Sequence, residues 1–179
     1  LLQRIYFDHL TTFYCGSGFN VDKRVFHTAG YVPEKNNKRA NQLEWEHIVP
    51  ASVLGQQLEE KSEAFRYMQA DIHNLVPAIG EISELRANYS FDMIPGEEKR
   101  FGSCDMEIAD RKVEPPENVR GNIARIYFYM NDAYPGRGII SKKSRKLFDS
   151  WDKQDPVDKW ECEKERRVRA IQGSENFFV

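Results

Sequence analysis

Glu46 and His47 stand side by side in Leu43-Glu44-Trp45-Glu46-His47-Ile48-Val49-Pro50, and no other pair in the chain is better suited to chemistry. A carboxylate is a hard oxygen ligand for a divalent cation. An imidazole can take up a proton near neutral pH. Together they suit a metal-assisted reaction. Taken alone, the pair reads more readily as an ordinary strand with a polar edge. A second imidazole, His73, lies in Asp71-Ile72-His73-Asn74-Leu75-Val76-Pro77, next to the amide of Asn74. Its simpler reading is a histidine that orients the strand or sheet, and the same holds for Asn74.

These residues need elements to carry them. Leu43, Trp45, His47 and Val49 alternate with Glu44, Glu46 and Ile48, the period of a strand. Neighbours on a regular strand point to opposite faces. For Glu46 and His47 to serve one site the chain must bend or end there, and Pro50 allows that. Residues 71–77 form a second strand-like run, also stopped by proline, and 81–89 has helical character. The order is strand, strand, helix, with acid, imidazole and amide groups on all three.

Around this unit the chain reads as mainly helical. Residues 1–10 suggest a first helix and 12–15 an extended piece broken by Gly16-Ser17-Gly18. Residues 21–31 suit another short extended piece, and 35–39 a polar loop. Residues 52–70 read as helical in pieces, with Val53, Leu54, Leu58, Phe65 and Met68 available for burial. Residues 105–116 are charged and stopped by Pro115-Pro116. Val119, Ile123, Ile126, Tyr127, Met130 and Tyr134 make one amphipathic helix, with Arg120 and Arg125 off its stripe. Ser141 is a good N-cap for the next helix, and 157–171 suits a last one. The expectation is a single α+β domain over 1–179, mainly helical with a small sheet.

Composition bounds the function. A chain of 179 residues can bury a core, and 40% apolar with 30% charged residues is ordinary for a globular protein. The formal charge of −2 does not announce a nucleic-acid binder. The basic residues cluster, however, at Lys142, Lys143, Arg145 and Lys146 and at Lys164, Arg166, Arg167 and Arg169. Such runs are usually solvated faces, but they can also meet phosphates. No apolar run is long enough to span a membrane. The chain opens at Leu1 without a signal peptide, which reads as a mature or trimmed form. Three cysteines allow one bridge with one free thiol, or a fully reduced set.

Several pieces, taken in order, carry a resemblance. They are Tyr14-Cys15-Gly16, Gly30-Tyr31-Val32-Pro33, Glu44 through Ala51, Asp71 through Ala78, Arg86-Ala87-Asn88-Tyr89, Arg120 through Arg125 with Tyr127 through Met130, and Trp160-Glu161-Cys162-Glu163. The chain resembles the endonuclease I family, the secreted and periplasmic non-specific nucleases of bacteria, over nearly its whole length. The resemblance implies a ββα-metal (His-Me finger) motif at the site. It implies a magnesium-dependent endonuclease acting on DNA, with RNA as an alternative substrate and Mn2+ or Ca2+ as alternative ions. It further implies a monomeric protein, periplasmic or secreted, with no membrane partner.

The family's roles fall on His47 as general base and Glu46 as metal-binding carboxylate. Two positions depart from its pattern. Ser83 stands where the family has a ligating asparagine, with Asn88 a candidate substitute further along the helix. Gln69 stands where it has a glutamate. The loop after Ala51 lacks the family's phosphate-binding arginine, for which Arg66 is the nearest candidate. These departures leave open a weakened or inactive nucleic-acid-binding relative. Arg120, Arg125, Lys142 and Lys143 are candidates to hold the strand. Ser17 and Ala29 replace two family cysteines. Cys15 and Cys162 sit in matching pieces and are expected to bridge, worth on the order of 4 kcal/mol in the chain-entropy model, with Cys104 free.

Overall fold

The computed structural model describes residues 1–35, 38–54, 62–96 and 99–179. Local signals account for many of its boundaries. The chain runs through α1 (Leu2–Ile5), β1 (Gly18–Phe19), β2 (Val25–Phe26), a 3-10 turn at Lys38–Asn41, β3 (Leu43–His47), α2 (Ala51–Leu54) and α3 (Glu63–Ala70). A 3-10 turn at Ile72–Asn74 leads into β4 (Leu75–Ile79), α4 (Gly80–Arg86) and β5 (Ser90–Phe91). After β6 (Glu107–Ala109) and β7 (Lys112–Glu114) come α5 (Arg120–Ala133), α6 (Lys142–Gln154) and α7 (Lys159–Gln172). The protein is α+β, with short sheets. Leu58 and the segment 55–61 lie outside the described residues, as do 36–37 within the expected loop.

Contacts divide the chain into two compact units. The first holds Leu1–Tyr6, His47–Leu75 and Arg120–Val179. Its helices α6 and α7 start where side chains satisfy free amides. The Ser141 hydroxyl accepts from Ser144 N at 3.1 Å. Asp158 accepts from Glu161 N at 2.8 Å, and the Glu161 carboxylate returns to the Asp158 amide, a capping box. Helix α5 is buried from Ile123 to Met130, more completely than a single stripe predicts. The Tyr127 ring packs 4.5 Å from that of Phe148 on α6. Gly121 permits this approach, because a Cβ there would lie 1.9 Å from the Asp155 carbonyl oxygen. Helix α1 stops at Ile5, not near Leu10. There Arg167 takes the Ile5 carbonyl, and Tyr6 is buried with its ring 5.3 Å from that of Trp160.

The second unit holds Phe7–Glu46 and Val76–Val119. β1 and β2 pair antiparallel, and β5 runs parallel to β7, which pairs antiparallel with β6. The β6–β7 hairpin falls in the stretch read only as charged. Its turn residues, Asp110 and Arg111, both have positive φ, 49° and 59°. Glycine or asparagine normally marks such a turn, so an arginine there gave no signal. The stretch expected as extended around Tyr14 is a turn, closed by Gly16 N on Thr12 O at 3.1 Å.

β3 and β4 pair in a two-stranded sheet. β4 begins only at Leu75, after the 3-10 turn, and passes through Pro77 to Ile79. Pro77 has no amide hydrogen, but its carbonyl accepts from Phe13 N at 2.7 Å. The order β3, β4, α4 is the strand, strand, helix order of the sequence.

Candidate active site

Glu46 lies near the end of β3 and is 5% exposed. Its Oε1 accepts from the Tyr14 hydroxyl at 2.9 Å and from Arg86 Nη1 at 3.2 Å. Its Oε2 is buried with no hydrogen-bond partner among the described residues. Burial pushes the carboxyl up from its ordinary range, while the Arg86 guanidinium and the Tyr14 hydroxyl pull it back. Arg86 is itself 1% exposed and lies over the Phe91 ring, 4.7 Å from its centroid.

His47 is half-buried, and its Nε2 lies 2.8 Å from the Gln69 carbonyl oxygen. A carbonyl only accepts, so Nε2 carries the hydrogen and the neutral ring has its lone pair on Nδ1. The residues after His47 are fixed in turn. Ile48 N donates to Asn74 O at 3.0 Å, Val49 N donates to Asn74 Oδ1 at 2.7 Å, and Asn74 Nδ2 donates to Val49 O at 3.0 Å. His73 is buried in the 3-10 turn, against the Tyr129 ring and near Glu165 and Ser174. That is a structural setting.

Gln69 meets His47 through its main chain, so the replaced side chain does not enter that bond. Ser83 is half-buried on α4. Asn88 does not share that helix: α4 ends at Arg86, and Ala87 turns the chain at φ 49°, leaving Asn88 exposed. Arg66 is exposed on α3. Arg120 lies with its guanidinium 5.8 Å from the Trp151 ring.

Arg125 corrects its expected role as a strand contact. It is 1% exposed, with Nε and Nη2 on Glu161 at 2.8 and 2.6 Å and Nη1 on Asp152 at 2.7 Å. A guanidinium so enclosed holds α5 to α6 and α7. Lys142 and Lys143 are exposed in the first turn of α6. Cations there oppose the helix dipole.

The expected Cys15–Cys162 bridge is also corrected. Cys15 bonds Cys104, with Cα atoms 4.8 Å apart, and Cys162 is a free, exposed thiol on α7. The 4.8 Å separation lies within the span a disulfide needs. Sequence reasoning gave Tyr14 and Arg86 no role, although both lie in matching pieces of the resemblance.

No group of three or more His, Cys, Asp or Glu side chains suited to a metal occurs among the described residues. One oxygen nonetheless suits a hard cation that keeps several waters: the buried Oε2 of Glu46, which has no hydrogen-bond partner among the described residues.

The family model described as Endonuclease I matches residues 3–179, and the chain belongs to that family. It is 43% identical to an extracellular deoxyribonuclease of Aeromonas hydrophila, covering 99% of this chain and 85% of that one. It is 40% identical to a periplasmic deoxyribonuclease of the same organism, over 99% and 81% of the two chains. It is also 40% identical to an Endonuclease-1 of Buchnera aphidicola, over 94% and 73%. The chain thus groups with periplasmic and secreted proteins, and a disulfide fits that setting. No helix among the described residues is long and apolar enough to cross a membrane.

Proposed function

We propose that this chain is a magnesium-dependent, sequence-non-specific endonuclease that hydrolyses phosphodiester bonds of DNA, with RNA as a second substrate to test. The observation that carries this reading is the bond from His47 to the Gln69 carbonyl, 2.8 Å long. It favours the tautomer whose Nδ1 can accept a proton. In this reading His47 Nδ1 takes a proton from the water that attacks phosphorus, and the bond to the 3′ oxygen breaks. Glu46, with the hydroxyl of Ser83, would hold the ion. Magnesium, when bound, supplies positive charge against the phosphate and the leaving oxygen.

The motif is then a ββα-metal finger built from β3, β4 and α4, and residues 1–179 act as one nuclease domain in a monomer. Arg120, Lys142 and Lys143 would meet backbone phosphates, with Arg66 as a further candidate. Contacts of that kind carry no sequence information, which accounts for a lack of specificity.

Plasmid nicking tests the proposal. The parent should cut with Mg2+ and stop with chelator, and Mn2+ and Ca2+ added in its place rank the ions. His47→Ala should cut roughly 100-fold to 10,000-fold more slowly, the usual range for loss of a general base. Binding without cleavage by the parent would favour the inactive relative that Gln69 and Ser83 leave open. Cleavage untouched by chelator or by His47→Ala would reject the mechanism.

A further inference from the structure

We propose that Tyr14 and Arg86 are positioning residues for the metal carboxylate, an inference that rests on the reading of Glu46 as the ligand. Both bind the same oxygen. Tyr14 donates to Oε1 from one residue range and Arg86 donates to it from another, at 2.9 and 3.2 Å. The second oxygen is left buried without a hydrogen bond among the described residues. A carboxylate oxygen in that state is costly to keep unless something takes its lone pairs. The arrangement fixes the rotation of the carboxylate and presents Oε2 alone to a cation. Glu46 is then a monodentate ligand.

The two donors are themselves held in place within the same unit. Tyr14 sits in a turn pinned by Phe13 N on Pro77 O at 2.7 Å and by the neighbouring Cys15–Cys104 bridge. Arg86 ends α4, and its guanidinium is fixed over Phe91. The start of α4 is fixed by Gly80 N on Gln42 O at 2.8 Å. A Cβ on Gly80 would lie 2.9 Å from the Arg39 carbonyl, so glycine lets the helix approach this closely. Neither donor has to search for its position when a cation arrives. Groups that orient a ligand in this way commonly change metal affinity 10-fold to 100-fold when removed.

The test is Mn2+ binding to the full chain without nucleic acid, read by electron paramagnetic resonance of the free ion. Glu46→Gln should remove the site. Tyr14→Phe and Arg86→Lys should each raise the Mn2+ dissociation constant about 10-fold or more. Nicking by Tyr14→Phe should also need more Mg2+ to reach half-maximal rate and recover at saturating Mg2+. If Arg86→Lys fails to fold, Tyr14→Phe carries the test, because it removes only one oxygen atom. Unchanged Mn2+ affinity in Tyr14→Phe, with the site lost in Glu46→Gln, overturns the positioning role and leaves Glu46 as ligand. Unchanged affinity in all three, as a buried water on Oε2 would give, removes Glu46 as ligand and this inference with it. A lowered melting temperature with unchanged affinity also counts against it.

Discussion

The side-chain amide of Asn74 bonds both the N–H and the C=O of Val49, at 2.7 and 3.0 Å. It serves Val49 as a neighbouring strand would, two residues beyond His47. Asn74 is 0% exposed, so no bulk water can replace it. Asn74→Ala would leave a buried donor and a buried acceptor unmet. The expected loss is about 1–3 kcal/mol for each group left unmet. Urea unfolding measures it. Nicking activity should fall by more than the unfolded fraction explains, since the backbone after His47 loosens.

Arg125 tests whether a basic residue belongs to the fold or to the substrate. Arg125→Ala would strand the carboxylate of Glu161, which is 7% exposed and pushed up by burial, with Arg125 the main opposing influence. Removing one partner of a buried pair costs about 3–5 kcal/mol. Lys142→Ala should leave the unfolding curve almost unchanged but weaken binding to DNA and flatten its salt dependence, and Lys143→Ala should weaken that binding as well. If Arg125→Ala keeps full stability and loses only DNA affinity, its assignment to the core is wrong.

The bridge predicts a contrast between cysteines. Cys15 and Cys104 are 89 residues apart in sequence. Closing a loop of that length is worth about 4.6 kcal/mol in the chain-entropy model. Cys104→Ser should lose stability of that order, while Cys162→Ser should lose almost none. Peptide mapping without reductant should recover Cys15 linked to Cys104 and Cys162 as a thiol.

His73 predicts a pH dependence. Burial pushes its imidazole down to about 4, against the pull of Asp71, and Lys164 adds to the fall. In the unfolded chain the ring takes a proton near pH 6.5. Between those values the unfolded state binds more protons, so stability rises with pH there. The contribution is complete above about pH 6.5 and is lost as pH falls toward 4. Chemical unfolding across that window should show the slope in the parent and a shallower one in His73→Gln. Equal slopes would remove His73 as the cause.

Much of this protein was legible one segment at a time. The alternation around Trp45, the stop at Pro50, the cap at Ser141 and the order of two strands and a helix depend on neighbours a few residues apart. Short-range hydrogen bonds and side-chain period fix such features. The neighbouring acid and imidazole were likewise visible as a pair. The partners of those residues were not. Tyr14 and Arg86 reach Glu46 across 32 and 40 positions, and Arg125 meets Glu161 across 36. Nothing local distinguishes a guanidinium that will be buried from one that will stay in water. Cys15 had two candidate partners, and only the fold brought Cys104 to 4.8 Å. The sequence by itself determined which groups could act and on which elements they ride. Tertiary structure decided which of them meet, because a carboxylate, a guanidinium or a thiol is indifferent to sequence distance and responds only to distance in space.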